Sequence, residues 1–118
     1  MQDFIKTQSS RMPNLRQPEC ALDLASAILG RRWVLLVLRE ILHRPKRFSE
    51  LHKRLPWIPA KSLARVLQNL EKDGLVERNV NDKRPPEVSY SLAHEDALLS
   101  QAIESLSSWG KQNFKRFS

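Results

Sequence analysis

Lys61-Ser62-Leu63-Ala64-Arg65-Val66-Leu67-Gln68-Asn69-Leu70-Glu71-Lys72-Asp73-Gly74 is the run whose reading decides the fold. Leu63, Val66, Leu67 and Leu70 stand at i, i+3, i+4 and i+7, a spacing that gathers apolar side chains on one face of an α-helix. Gly74 follows, a residue that readily ends helices. Pro59 lies just before the run, and proline suits a helix's first turn. The pattern predicts a helix over residues 61–73. With its leucine stripe turned inward, Lys61, Ser62, Arg65, Gln68 and Asn69 face outward.

Downstream of Gly74, Leu75 to Val80 is rich enough in β-branched residues for a short strand. Residues 81–86 are turn-rich. Glu87 to Leu92 alternates, with Val88, Tyr90 and Leu92 on one face and Ser89 and Ser91 on the other. The two strands predict a hairpin whose tip offers Lys83 and Arg84, with Asp82 and Glu87 beside them. A long helix is expected from Glu95 to about Phe114, with Leu98, Leu99, Ala102, Ile103, Leu106 and Trp109 apolar and Gly110 a mild interruption.

Upstream, Ser49 is placed to cap a short helix that buries Leu51 and Leu55 and ends at Pro56. Pro45 forces a turn before it. Trp33 to Leu42 is apolar nearly all round, broken only by Arg39 and Glu40, and such a helix belongs at the centre of a core. Cys20 to Leu29 suits another helix, closed by Gly30 in a left-handed cap. Residues 1–17 are polar, contain Pro13 and read as an arm or short helix, leaving residues 18–118 as the folded domain. The class is therefore mainly α with a small β-hairpin.

The chain's 118 residues suit one domain. Its longest apolar run, Trp33 to Leu38, is far short of the roughly 20 residues that span a bilayer. Met1 to Lys6 shows no apolar h-region, so a cytoplasmic protein is expected. One cysteine, Cys20, and three scattered histidines leave neither an intrachain disulfide nor a metal-ligand pattern. No cofactor is expected. The formal charge of +7 is concentrated: residues 44–65 hold seven Lys/Arg against a single acid. A basic surface of that density points to a polyanionic partner.

Two short helices joined by a tight turn and followed by a hairpin make the layout of a winged helix-turn-helix. In that motif the second helix enters the major groove and its N-terminal residues reach base edges. Lys61, Ser62, Arg65, Gln68 and Asn69 are residue types that read bases; arginine forks onto guanine, and Gln or Asn pairs with adenine. Arg44, Lys46, Arg47, Ser49, His52, Lys53 and Arg54 would lie along phosphates, which position without reading sequence. Lys83 and Arg84 would meet the adjacent groove. The expected role is a DNA-binding transcription regulator. The alternative is a winged-helix module using its basic face on an acidic protein. An enzyme is the class least supported, since there is no Gly-rich phosphate loop and no paired nucleophile and base.

Several blocks, taken in order and spacing, resemble the HxlR-type winged-helix regulators. They are Cys20-Ala21-Leu22-Asp23-Leu24, Gly30-Arg31-Arg32-Trp33-Val34-Leu35-Leu36, Leu38-Arg39-Glu40-Ile41-Leu42 and Arg47-Phe48-Ser49-Glu50-Leu51. Leu70-Glu71-Lys72-Asp73-Gly74-Leu75-Val76, Pro85-Pro86-Glu87-Val88-Ser89-Tyr90-Ser91-Leu92 and Trp109-Gly110 complete the set. The resemblance implies a homodimer on a near-palindromic operator, paired through terminal helices. The chain departs from the family pattern at Pro59-Ala60, where Ser-Pro is frequent, at Arg65, where glutamine is common, and at Glu87, where a basic residue is frequent.

The last helix carries an apolar stripe that is long for so small a core. Leu99, Ile103, Leu106 and Trp109 are therefore candidates for a dimer interface; the alternative is that all of them pack inside one domain. Cys20 also has two readings. In several members of the similar family the matching cysteine senses electrophiles or oxidants, and a helix N-terminus favours a thiolate. Otherwise it is a buried, inert small hydrophobe.

Overall fold

Five helices and one antiparallel hairpin build residues 19–118, which are those the computed structural model describes. The expected arm over residues 1–17 lies outside them. The elements run α1 (Ala21–Leu29), α2 (Val34–Ile41), α3 (Phe48–Arg54), α4 (Ala60–Lys72), β1 (Val76–Val80), β2 (Val88–Leu92) and α5 (Ala97–Phe117). This is a winged helix-turn-helix, as the sequence predicts. No helix among the described residues is long and apolar enough to cross a membrane.

Helix α2 is the hub. It touches α1, α3, α5 and β2, and Val34, Val37, Leu38, Glu40 and Ile41 are buried on it. Leu51 and Leu55 from α3 and its end, Ile58 from the following turn, and Leu63, Leu67 and Leu70 from α4 close around it. Val66 stays partly exposed at the margin of the predicted stripe.

The caps explain the boundaries. At the end of α4, Leu75 N–H donates to Leu70 O and Gly74 N–H to Glu71 O, both at 3.0 Å. This is a Schellman ending, and it requires the left-handed φ of 80° that Gly74 adopts. Gly30 corrects the expectation of a left-handed cap: its φ is −80°. Its lack of a side chain matters for space, because a Cβ there would sit 2.5 Å from Ser26 O. The left-handed residue of that turn is Trp33, with φ 72°, a strained conformation for a bulky side chain. The Arg32 guanidinium lies 4.4 Å from the centre of its ring.

Ser49 does not cap α3. Arg47 occupies the cap position, and its N–H donates to Glu50 Oε1 at 2.9 Å. A carboxylate three residues into the helix takes that role, which leaves Ser49 inside the first turn. That backbone hydrogen bond also lowers the Glu50 pKa.

The hairpin pairs Val76 with Leu92 through Val80 with Val88. A further bridge joins it to the segment before α3: Lys46 N–H donates to Tyr90 O at 2.9 Å and Tyr90 N–H to Lys46 O at 2.8 Å. The wing is thus fastened directly to the base of the helix-turn-helix. Helix α5 starts where Asp96 Oδ1 accepts from Leu99 N–H at 2.9 Å. It runs unbroken through Gly110 to Phe117, since a single glycine within a helix weakens it without ending it.

Candidate nucleic-acid interface

Helix α4 presents the predicted reading face. Leu63, Leu67 and Leu70 anchor it inward, and a helix turns about 100° per residue. Lys61, Arg65 and Gln68 therefore lie opposite the anchors, and all three are exposed. Ser62 and Asn69 turn to one flank. There, with Arg65 and Val66, they line a cavity of about 260 Å³ against Arg31, Arg32, Trp33 and Val34. Arg31 closes that flank through Asp73 at the end of α4, Nη2 to Oδ2 at 2.5 Å, and donates from Nε to Ile28 O at 3.1 Å. The turn between α1 and α2 thus places two arginines beside helix α4. Adjacency in space is what reveals them; in the sequence they stand thirty residues away from it.

The cations expected along the phosphates divide into two groups. Arg44 and Lys53 are exposed and make no ion pair among the described residues. Ser49 is exposed as well. Lys46 and Arg54 instead converge on Glu40, with Nζ and Nε at 3.1 and 3.0 Å from its Oε1. Arg39 adds a contact of 2.8 Å to Oε2. Glu40 is only 5% exposed. Burial pushes its pKa upward, but the hydrogen bonds from Lys46, Arg39 and Arg54 more than reverse this and hold it at about 2. His52 is half-buried and its Nε2–H donates to Ile58 O at 3.2 Å, so it braces the turn between α3 and α4.

At the wing, Glu87 pairs with both Arg47 and Lys83. The acid that stands where the family resemblance leads one to expect a base therefore ties the wing to the start of α3. Arg84 is exposed at the tip.

Two further expectations change. Cys20 is exposed, so it is not a buried small hydrophobe within this chain. It caps α1, its Sγ accepting from Asp23 N–H at 3.4 Å. Leu99 and Ile103 belong to the core of the single chain rather than to an outer interface, because they pack against the α2 cluster. Leu106 and Trp109 are 50% and 58% exposed. Further along α5, Phe114 and Phe117 are exposed too, and the Trp109 and Phe117 rings stack at 5.9 Å.

A family model described as HxlR-like helix-turn-helix matches residues 28–118. The chain is 33% identical over 91 residues to the HTH-type transcriptional regulator YodB of Bacillus subtilis, covering 77% of this chain and 81% of YodB. The reduced form of YodB superposes with a TM-score of 0.67 over 79% of this chain and 92% of that one, at 32% identity; YodB has also been solved bound to quinone. The oxidised redox regulator HypR gives 0.73 at 30% identity over 80% and 97%. A transcriptional regulator of the MarR family from Porphyromonas gingivalis W83 gives 0.75 at 28% identity over 85% and 98%.

Proposed function

The chain belongs to the HxlR-like helix-turn-helix family of transcriptional regulators, and on that premise we propose that it binds double-stranded DNA sequence-specifically, as a homodimer, with no enzymatic activity. The observation that carries this reading is the outward row of Lys61, Arg65 and Gln68 on a helix anchored by three buried leucines. Arg65 reads a base, Lys61, Ser62, Gln68 and Asn69 support it, and Arg44, Lys53 and Ser49 hold phosphates. Lys46, Arg47 and Arg54 share their charge with Glu40 or Glu87 and contribute less. Lys83 and Arg84 approach the flanking groove.

The second copy would cover Leu106, Trp109, Phe114 and Phe117, an apolar row larger than a lone surface residue needs. A dimer of this kind presents two reading helices to a near-palindromic site.

A gel-shift titration over a salt series tests the reading. Phosphate contacts make log K fall linearly with log salt, so a steep slope on duplex DNA is expected. Arg65→Ala should weaken binding to the selected operator by about 1–3 kcal/mol and random duplex much less. Equal losses on both would remove Arg65 from the base readers, and no duplex binding even at low salt would leave the acidic-protein alternative standing.

We also propose that Cys20 answers small electrophiles or oxidants. The support is its exposure at the α1 N-cap together with the redox and quinone-bound states of HypR and YodB. Cys20→Ser should bind DNA like the parent chain and lose any change in binding after quinone or diamide treatment. A response that survives in the variant would place the sensor elsewhere.

A further inference from the structure

Trp57 is an exposed aromatic ring in a turn that has no freedom to bury it. It is 57% exposed, and no ring or cation contact to it is found among the described residues. Its neighbours are the reverse: Leu55 and Ile58 are fully buried. Ile58 N–H donates to Leu55 O at 3.1 Å, and Ile58 O accepts from His52 Nε2 at 3.2 Å. Pro56 and Pro59 restrict the backbone on both sides. Turning the indole inward would pull Ile58 out of the core.

Its position and surroundings bear on what could cover it. Trp57 precedes Ala60, the first residue of α4, by three residues, at the end of a reading helix that enters the major groove first. Residues 51–70 hold Lys53, Arg54, Lys61 and Arg65 and no Asp or Glu. A large apolar ring flanked in sequence by cations, of which only Arg54 is paired with an acid among the described residues, Glu40, matches a surface that is anionic at its edges and apolar at one point within. The major groove of DNA is such a surface, with phosphates along its walls and the thymine 5-methyl as the apolar group of its floor.

We propose that Trp57 packs against a thymine methyl beside the bases read from α4, making it a specificity determinant outside the recognition helix. This rests on the DNA-binding reading above and adds a requirement for thymine at one position of each half-site. Because prolines and buried neighbours already hold the turn, little ordering entropy opposes the contact.

The test uses the full chain and the operator it selects from a random duplex library. Each thymine is replaced in turn by deoxyuridine, which removes only the methyl group. At one position per half-site the replacement should weaken the parent chain about fourfold, the effect of uncovering one buried methyl group. Trp57→Ala should weaken binding to the thymine operator about tenfold, as the larger apolar area lost implies. On Trp57→Ala the same thymine-to-deoxyuridine change should cost nothing further, and Trp57→Phe should recover part of the discrimination. A Trp57→Ala chain that binds as well as the parent, or that still loses fourfold on deoxyuridine, overturns the proposal. If the parent chain binds duplex with a steep salt slope while Trp57→Ala does so equally, only the thymine contact fails. If the parent binds no duplex, both readings fail.

Discussion

Glu40→Gln is expected to lower the stability of the fold by about 3 kcal/mol near neutral pH, and to remove most of that difference in acid. The carboxyl pKa falls from the ordinary 4.5 to about 2 in the folded chain, and a gap of that size is worth about 3 kcal/mol at 1.36 kcal/mol per unit. The sign follows from the depressed folded value. The stabilisation is complete above about 4.5, declines as pH falls, and is gone near 2. Glutamine resembles the protonated acid, so it lacks the stabilisation at every pH. Urea unfolding of both chains across that range should give curves that lie apart at pH 7 and converge towards pH 2. Other acids titrate there too, Glu50 among them, and the difference between the two chains isolates Glu40. Curves that stay parallel down to pH 2 would show that Glu40 does not carry its charge in this cluster. Lys46 strengthens the expectation, since its side chain is only 14% exposed and loses its ion-pair partner in the substitution.

The same cluster shows what the sequence conceals. Counting charges over residues 44–65 treats every cation as available to a phosphate. Yet Glu40, six residues before Lys46 and fourteen before Arg54, engages both. The sign of it is present in the sequence, for Glu40 stands three residues after Val37 on the buried face of α2, but its partners become visible only when α3 folds back. The α4 stripe, the Gly74 ending and the alternating hairpin are legible because each is local, set by spacing within one element. The outward face of α4, proposed above to read bases, is legible for the same reason: it is the complement of that stripe. The α1–α2 turn is not, because the arginines beside α4 arrive through tertiary contact. Nor does Gly30 announce its role, since the lack of a Cβ can serve a left-handed backbone or a close approach, and here it serves the approach to Ser26 O.

Helix α5 poses the remaining ambiguity, and a matched pair of truncations resolves it. Leu67→Ala should destabilise the chain by about 2–5 kcal/mol, the range for deleting a leucine side chain from a packed core. Leu67 is almost fully buried in the cluster that seats α4. A domain of this size has roughly 5–15 kcal/mol to lose, so a large share of its stability, and the footing of helix α4 with it, depends on this one side chain. Leu106→Ala removes the same atoms from a residue that is half exposed. In a lone chain that change should cost within about 0.5 kcal/mol, the usual range for a surface site. In a dimer that covers Leu106 it should behave differently: folding is coupled to association, so the parent's melting temperature rises with protein concentration. Leu106→Ala should flatten that rise while leaving the dilute chain nearly unchanged; Leu67→Ala should lower the melting temperature at every concentration alike. Leu99 and Ile103 share one helical face with Leu106, and periodicity alone cannot mark where along it the core ends. A concentration-independent loss at Leu106 as large as that at Leu67 would place Leu106 inside the core with them and take it out of the proposed interface.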